Sequence, residues 1–203
     1  MSEAELQFLD VGEGAHRRRI AYLRHEPSAT GAPGLLWLIG LMSDMHSAKS
    51  AALAEWADDR GLGMTRFDYS GHGRSEGRFE DATVGDWLEE AEAVFRRITR
   101  GPQIIVGSST GAHIALLLLR RLIEARDADN ARLKGLVLIA PAWDLTEELM
   151  WKEFSEDARR EIMEKGSYRL PSDYDASGYV ITRRFIEEGR NHLLASNTDR
   201  KKS

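Results

Sequence analysis

The chain has 203 residues, 42% of them hydrophobic and 30% charged, which is the balance of a soluble globular protein with one core. Its net charge is −5 and it lacks cysteine, which argues against a nucleic-acid partner and excludes disulfides, a thiol nucleophile and thiolate metal sites. The acidic, polar start and the shortness of the apolar runs predict a cytoplasmic protein without a membrane span.

The first third of the chain predicts a hairpin followed by a strand, a helix and a second strand. Residues 6–11 and 17–24 flank a glycine-rich turn and are expected to pair in antiparallel fashion. The apolar run at 35–39 is typical of a parallel strand that is buried on both faces. A helix over 47–60, with Leu53, Trp56 and Ala57 on its apolar face, and a strand over 63–69 follow.

The middle of the chain continues this alternation of strands and helices. Apolar residues recur at helical spacing from Trp87 to Ile98, and the acidic residues 89–92 are expected to form a solvated face of that helix. A short apolar strand at 104–106 precedes another apolar helix, and 136–140 reads as one more buried strand. Such a pattern predicts an α/β fold with a mostly parallel sheet and helices on both faces.

Beyond Pro141 the pattern changes, and we divide the chain accordingly. Residues 1–143 are predicted to form the core, and residues 144–194 a helical segment that lies over the sheet as a lid or cap, with a plain surface extension as the alternative. Within it we expect a helix or helix pair over 146–165, a loop or small hairpin over 167–178 and a helix over 179–194. The polar end, 195–203, is predicted to be disordered.

A Gly-x-Ser-x-Gly pentapeptide, residues 107–111, joins the strand at 104–106 to the apolar helix after it, with Ser109 at its centre. A serine raised on such a sharp strand-to-helix turn occupies a strained backbone, and glycines two positions away on either side let strand and helix approach each other. The N–H groups at the start of the helix then point to the place where an oxyanion would form. In this context the pattern predicts a nucleophilic serine.

Three motifs in their expected order make the chain resemble the α/β-hydrolase superfamily: Ile-Gly-Leu-Met at 39–42, Phe-Asp-Tyr-Ser-Gly-His-Gly-Arg-Ser at 67–75, and the Ser109 pentapeptide. The Gly40 loop and the Ala-Pro-Ala-Trp-Asp segment at 140–144 are most similar to a branch of small serine esterases and acyl-thioesterases. That branch includes palmitoyl-protein thioesterases that are also described as acyl-glucuronide esterases.

The resemblance implies a site and a substrate class. Ser109 would be the nucleophile, and the backbone N–H groups of Thr110 and Leu41, with Met42 as the alternative to Leu41, would form the oxyanion hole. The expected substrates are small-molecule acyl esters or thioesters, and neither a cofactor nor a metal is implied.

The sequence departs from the superfamily pattern after Ser109. A serine needs a histidine to take its proton and a carboxylate to orient that histidine, each carried by a later strand. Only 94 residues follow Ser109, and none forms a further buried strand after Ile139, so we interpret the last strands as missing. Asp144 with His192 is the one improvised pair that the sequence offers, whereas His72 is expected to be a structural hydrogen-bonding residue and His113 a core residue.

Three hypotheses remain open at this level. The chain is a serine hydrolase, impaired because the acid and histidine are not evident, or it is an inactive hydrolase-fold fragment that binds acyl groups or a protein. In the third, another chain supplies the acid and histidine. Loss of the last strands would also leave 136–140 at a sheet edge, where unpaired backbone groups favour self-association.

Overall fold

A computed structural model of the protein describes residues 5–28, 31–171 and 178–195. The central sheet contains β1 (Gln7–Val11), β2 (Arg18–His25), β3 (Gly34–Leu38), β4 (Met64–Phe67), β5 (Gln103–Ser108) and β6 (Leu133–Ile139). Their order is β1-β2-β4-β3-β5-β6. β1 and β2 pair antiparallel, as do β2 and β4, whereas β4, β3, β5 and β6 run parallel. The predicted hairpin and mostly parallel sheet are confirmed.

Three helices cover this sheet: α1 (Ala48–Asp58), α2 (Val84–Arg97) and α3 (Thr110–Ala125). α1 lies over the face that carries Trp37 and Val106, and α2 and α3 pack against each other on the opposite face. The start of α2 is set by a capping box, in which the Asp86 N–H donates to the Thr83 hydroxyl and the Thr83 N–H donates to the Asp86 carboxylate. The predicted apolar stripe of α2 is buried.

Strand β6 forms the outer edge of the sheet among the described residues, as expected if the last strands are missing, but it is not the buried strand that its apolar residues alone predict. The side chains of Val137 and Ile139 are 49% and 39% exposed, because no described strand or helix lies beside them on that face. Trp56 on α1 is also 45% exposed, although the sequence assigned it to the apolar face of its helix. An apolar groove between α1 and β6 therefore remains open to solvent.

The described residues after Pro141 form six elements: a π-helical segment (Leu145–Trp151), α4 (Glu156–Lys165), β7 (Ser167–Leu170), β8 (Tyr179–Thr182), α5 (Arg183–Gly189) and a short 3₁₀ helix (Arg190–His192). The helix pair predicted over 146–165 is present. β7 and β8 form an antiparallel hairpin, so the helix predicted over 179–194 begins only at Arg183. Aromatic and β-branched residues favour the strand at 179–182, and the Thr182 hydroxyl then caps α5 by accepting the Phe185 N–H.

This C-terminal segment packs against the sheet domain through α2. The ring centroid of Phe185 lies 5.4 Å from that of Trp87, and the Glu188 carboxylate accepts the Gly85 N–H at 3.2 Å. These contacts attach α5 to the first turn of α2. The predicted disordered tail, 195–203, lies outside the described residues except for Ala195.

Candidate active site

Ser109 occupies the sharp turn between the last residue of β5 and the first residue of α3. Its backbone has φ +53° and ψ −117°, a conformation that residues other than glycine adopt only under strain. The residue is half-buried, and its side chain does not cap the helix that it precedes. The structure thus places Ser109 on the strained strand-to-helix turn that the pentapeptide predicts.

The glycines of the pentapeptide are there for steric reasons. A β-carbon at Gly107 would lie 2.5 Å from the Gly111 carbonyl oxygen, and one at Gly111 would lie 2.1 Å from the Leu38 carbonyl oxygen. Gly40 belongs to the same crowded region, since its β-carbon would lie 3.4 Å from that of Ser109. Strand ends, helix and loop thus approach closely around one serine.

Hydrogen bonds of the Ser109 main chain fix its position relative to β6. The Ser109 N–H donates to the Ile139 carbonyl at 2.9 Å, and the Ser109 carbonyl accepts the Ala142 N–H at 3.1 Å. The first turn of α3 adds the Ala112 N–H as a second donor to that carbonyl, at 3.0 Å. The loop after β6 is thereby bound to the residue that carries the hydroxyl.

A second loop, Gly40 to Met45, approaches Ser109 from the end of β3 and is held by the buried side chain of Asp68. That carboxylate accepts the Met45 N–H at 2.6 Å and the Arg74 N–H at 2.7 Å. Burial raises the pKa of Asp68, an effect that these two backbone hydrogen bonds oppose. Asp68 therefore ties the loops after β3 and β4 together.

The backbone N–H groups predicted as oxyanion donors differ in whether they already have a hydrogen-bond partner. Within the described ranges, no hydrogen bond uses the N–H of Leu41 or of Thr110. The Met42 N–H, the alternative donor, is engaged, because it donates to Nε2 of His72 at 3.2 Å. This contact leaves Leu41 as the better candidate.

None of these residues supplies a proton acceptor for the Ser109 hydroxyl. In the described part of the chain, no histidine is hydrogen-bonded to the Ser109 hydroxyl. His113, one turn along α3, is only 2% exposed, and burial lowers its pKa to about 4. It is a core residue, as predicted, and its Nδ1 has no partner among the described residues.

The pairing of Asp144 with His192 is not formed. His192 instead has its Nε2 2.6 Å from Oε1 of Glu188. Burial of Glu188 acts against ionisation, but hydrogen bonds from His192 and the Gly85 N–H hold its pKa below the usual value. The Asp144 carboxylate accepts two backbone N–H groups, those of Leu194 at 2.7 Å and Ala195 at 3.0 Å.

Sequence reasoning missed the role of Glu90, which it assigned to a solvated helix face. The side chain is fully buried and accepts the Arg18 Nε–H at 2.7 Å and the Ser70 N–H at 2.9 Å. Burial raises the pKa of Glu90 to about 7, although these hydrogen bonds oppose the shift. The only sequence signal would have been its position, since Glu90, Ala91 and Trp87 lie on the same side of the helix.

A known family matches most of the sequence that carries this site. The family model Hydrolase_4, described as serine aminopeptidase, S33, matches residues 43–189. The chain belongs to the α/β hydrolases. The predicted resemblance to the α/β-hydrolase superfamily is confirmed.

Relatives of this α/β hydrolase include proteins named palmitoyl-protein thioesterase ABHD10, mitochondrial. The mouse protein is 32% identical over 195 residues, and the human protein is 31% identical over 164 residues. The alignments cover 95% and 80% of this chain, but only 60% and 51% of those two proteins. The chain thus spans between half and two thirds of the length of these relatives.

Solved structures show the same fold. A crystal structure assigned as a hydrolase from Agrobacterium vitis S4 has 38% sequence identity and a TM-score of 0.90, covering 95% of this chain and 74% of that one. Mouse alpha/beta hydrolase domain-containing protein 10 has 32% identity and a TM-score of 0.76, covering 95% and 72%.

Two properties of the described residues bear on other kinds of site. No group of three or more histidine, aspartate or glutamate side chains there is arranged to hold a metal ion. None of the described helices combines the length and the apolar character that a transmembrane span requires.

Proposed function

We propose that this chain carries the nucleophile and the oxyanion hole of a serine hydrolase that cleaves carboxylic esters or thioesters of acyl substrates. The observation that supports this most directly is the strained backbone of Ser109, between β5 and α3. A conformation that costs about 1–3 kcal/mol persists where the surrounding structure holds it, and such sites are often functional.

In the proposed reaction, the Ser109 oxygen forms a bond to the acyl carbon as the hydroxyl proton passes to a base. The carbonyl π electrons move to oxygen, and the resulting oxyanion accepts hydrogen bonds from the Leu41 and Thr110 N–H groups. Collapse of this intermediate expels an alcohol or thiol, which takes the proton, and water then hydrolyses the acyl-serine by the same route. We assign no base among the described residues.

Acyl thioesters are the substrate class suggested by the names of the relatives, and acyl esters share the same chemistry at the carbonyl carbon. We further propose that residues 144–194 act as a cap on the core formed by residues 1–143. Two contacts support this division. Helix α5 is attached to α2, and the Asp144 carboxylate accepts the N–H of Leu194 at the end of the segment. A cytoplasmic location stays a prediction, because the names of the relatives contain the word mitochondrial.

Labelling with a fluorophosphonate probe tests the proposal, because such probes react with activated serines. We expect one probe molecule per chain, lost in Ser109→Ala and kept in Ser108→Ala, a matched control that removes the neighbouring hydroxyl. Absence of labelling in the folded wild-type chain would contradict an activated nucleophile and favour the second candidate, a non-catalytic module that binds acyl groups or a protein. Labelling that survives Ser109→Ala would place the nucleophile elsewhere.

A further inference from the structure

The loop that carries Leu41 begins with a strained β-turn. The Ser43 N–H donates to the Gly40 carbonyl at 3.2 Å, and Met42, at the third position of the turn, has φ +55°. Leu41 does not share the positive φ, so the turn is of type II, whose third position favours glycine. A methionine there costs about 1–2 kcal/mol, and a compensating interaction is needed to keep the turn in this form.

His72, from the loop after β4, supplies that interaction. Its Nε2 accepts the Met42 N–H at 3.2 Å, and its Nδ1 lies 3.2 Å from the Ser70 carbonyl oxygen. A carbonyl oxygen only accepts hydrogen bonds, so Nδ1 must carry the proton and leave Nε2 as an acceptor. His72 is 5% exposed, and burial lowers its pKa to about 4, so the neutral ring persists at neutral pH.

The orientation of the imidazole is fixed by its surroundings. Three aromatic rings pack edge to face against it, with centroid distances of 5.2 Å to Trp87, 5.7 Å to Phe79 and 6.0 Å to Tyr69. The main chain of Ser70, its partner, is itself held, because the Ser70 carbonyl also accepts the Trp87 Nε1–H at 3.2 Å and the Ser70 N–H donates to Glu90. A chain of hydrogen bonds therefore connects α2 and β2, through Ser70 and His72, to the Gly40 loop.

We propose that His72 is a positioning residue for the oxyanion hole, acting through the Leu41–Met42 peptide. Type I and type II turns differ by a rotation of the central peptide through about 180°. In the observed orientation the Met42 N–H meets the lone pair of Nε2, whereas in the rotated one the Leu41 carbonyl oxygen would face that lone pair. His72 therefore selects one orientation by attraction and disfavours the other by repulsion, and so holds Leu41 in a single conformation.

The hydrogen bond and the turn stand on the geometry alone, while the effect on reaction rate rests on the proposed function. His72 does not act as the base for Ser109, since its acceptor nitrogen is occupied by the Met42 N–H. The proposal assigns it to the loop that binds the oxyanion and not to proton transfer.

Two variants separate this role from simple packing. His72→Phe keeps an aromatic ring among its neighbours but removes the acceptor, and we expect it to slow fluorophosphonate labelling of Ser109 about tenfold or more. Adding Met42→Gly makes a type II turn intrinsically favourable, so the double variant should recover most of the lost rate. Labelling of His72→Phe at the wild-type rate, or no recovery in the double variant, would overturn the proposal.

A measurement on the wild-type chain tests the hydrogen bond independently of any variant or activity. With ¹⁵N-labelled histidine, two-bond ¹H–¹⁵N spectra at pH 7 distinguish the two neutral tautomers. We expect His72 to carry its proton on Nδ1, and finding it on Nε2 would refute the contact with Met42. If the wild-type serine is not labelled, the proposed function fails, whereas the tautomer still decides whether His72 holds the turn.

Discussion

A β-carbon added to Gly111 would lie 2.1 Å from the carbonyl oxygen of Leu38, so the start of α3 touches the main chain at the end of β3. The contact involves backbone on both sides and leaves no flexible side chain to move away. It brings the first turn of the helix, and with it Ser109, next to the loop that begins at Gly40. The position of Ser109 therefore depends on residue 111 being glycine, with a hydrogen atom where alanine has a methyl group.

Gly111→Ala is expected to destabilise the protein by about 3 kcal/mol or more, at or beyond the upper end for overpacking, because main-chain atoms must shift. Urea-induced unfolding measures this change. Gly135→Ala is the matched control, since a β-carbon there meets nothing within 4 Å, and it should alter the free energy of unfolding little. Equal effects of the two substitutions would contradict the close approach.

Ser109→Gly should stabilise the chain relative to Ser109→Ala by about 1 kcal/mol. Glycine relieves a backbone strain of about 1–3 kcal/mol, which exceeds its extra conformational entropy in the unfolded chain, about 0.5–1 kcal/mol. The comparison uses the midpoints of urea unfolding. Ser108→Gly, in the regular backbone of β5, is expected to destabilise the protein. A Ser109→Gly variant that is less stable to urea than Ser109→Ala would show that the turn is unstrained.

His113 should make the protein less stable in acid. Its pKa falls from 6.5 to about 4 on folding because of burial, so the unfolded chain binds more protons between these values and stability declines as the pH is lowered through them. The loss at pH 5 relative to pH 7.5 is about 2 kcal/mol. His113→Leu should reduce the pH dependence of unfolding by that amount, and a pH dependence equal to that of the wild type would contradict the shift.

Glu90 should make the protein less stable as the pH rises, opposite to the effect of His113. Burial raises its pKa from 4.5 to about 7, so its contribution to stability is fully present below pH 4.5 and is lost as the pH rises through 7. Glu90→Gln, which stays neutral, should gain about 2 kcal/mol relative to wild type between pH 5 and pH 8. A difference for Glu90→Gln that is constant with pH would refute the shift.

Strand β6 is proposed to mediate self-association of two copies through its open edge, because backbone groups and apolar side chains are both exposed there. Sedimentation velocity should show dimers whose fraction grows with protein concentration. Val137→Lys should suppress them, while Ile123→Lys, at an equally exposed site on α3, should not. A wild-type chain that is monomeric at all concentrations would rule out this role for the edge.

The sequence was most informative where one local pattern determines the structure. The glycines at 107 and 111 define the Ser109 turn because their requirement is steric and local, and the apolar stripe of α2 gave its buried face. Strand β6 was predicted as buried because its apolar residues resemble those of a central strand. Its edge position was expected only from the lack of a further strand pattern after Ile139, which is a property of the whole chain and not of the strand itself.

The side-chain pairings could not be read in the same way. Glu90 lies among acidic neighbours, and only its contact with Arg18, 72 residues away, shows that it is buried. His192 was matched to Asp144 by chain order, but Glu188, one helical turn before it, is the closer partner. Nothing in the residue types at 42 and 72 indicates that an imidazole nitrogen accepts the Met42 N–H.

Both main-chain polar groups of Ser109 are bonded to residues 139–142, which belong to the outermost strand and its exit loop. A molecule that docks along this margin and shifts it by a fraction of an ångström would move the Ser109 side chain as well. Binding at the edge of the sheet would then change the rate of turnover through these two hydrogen bonds, without a series of contacts through the protein interior.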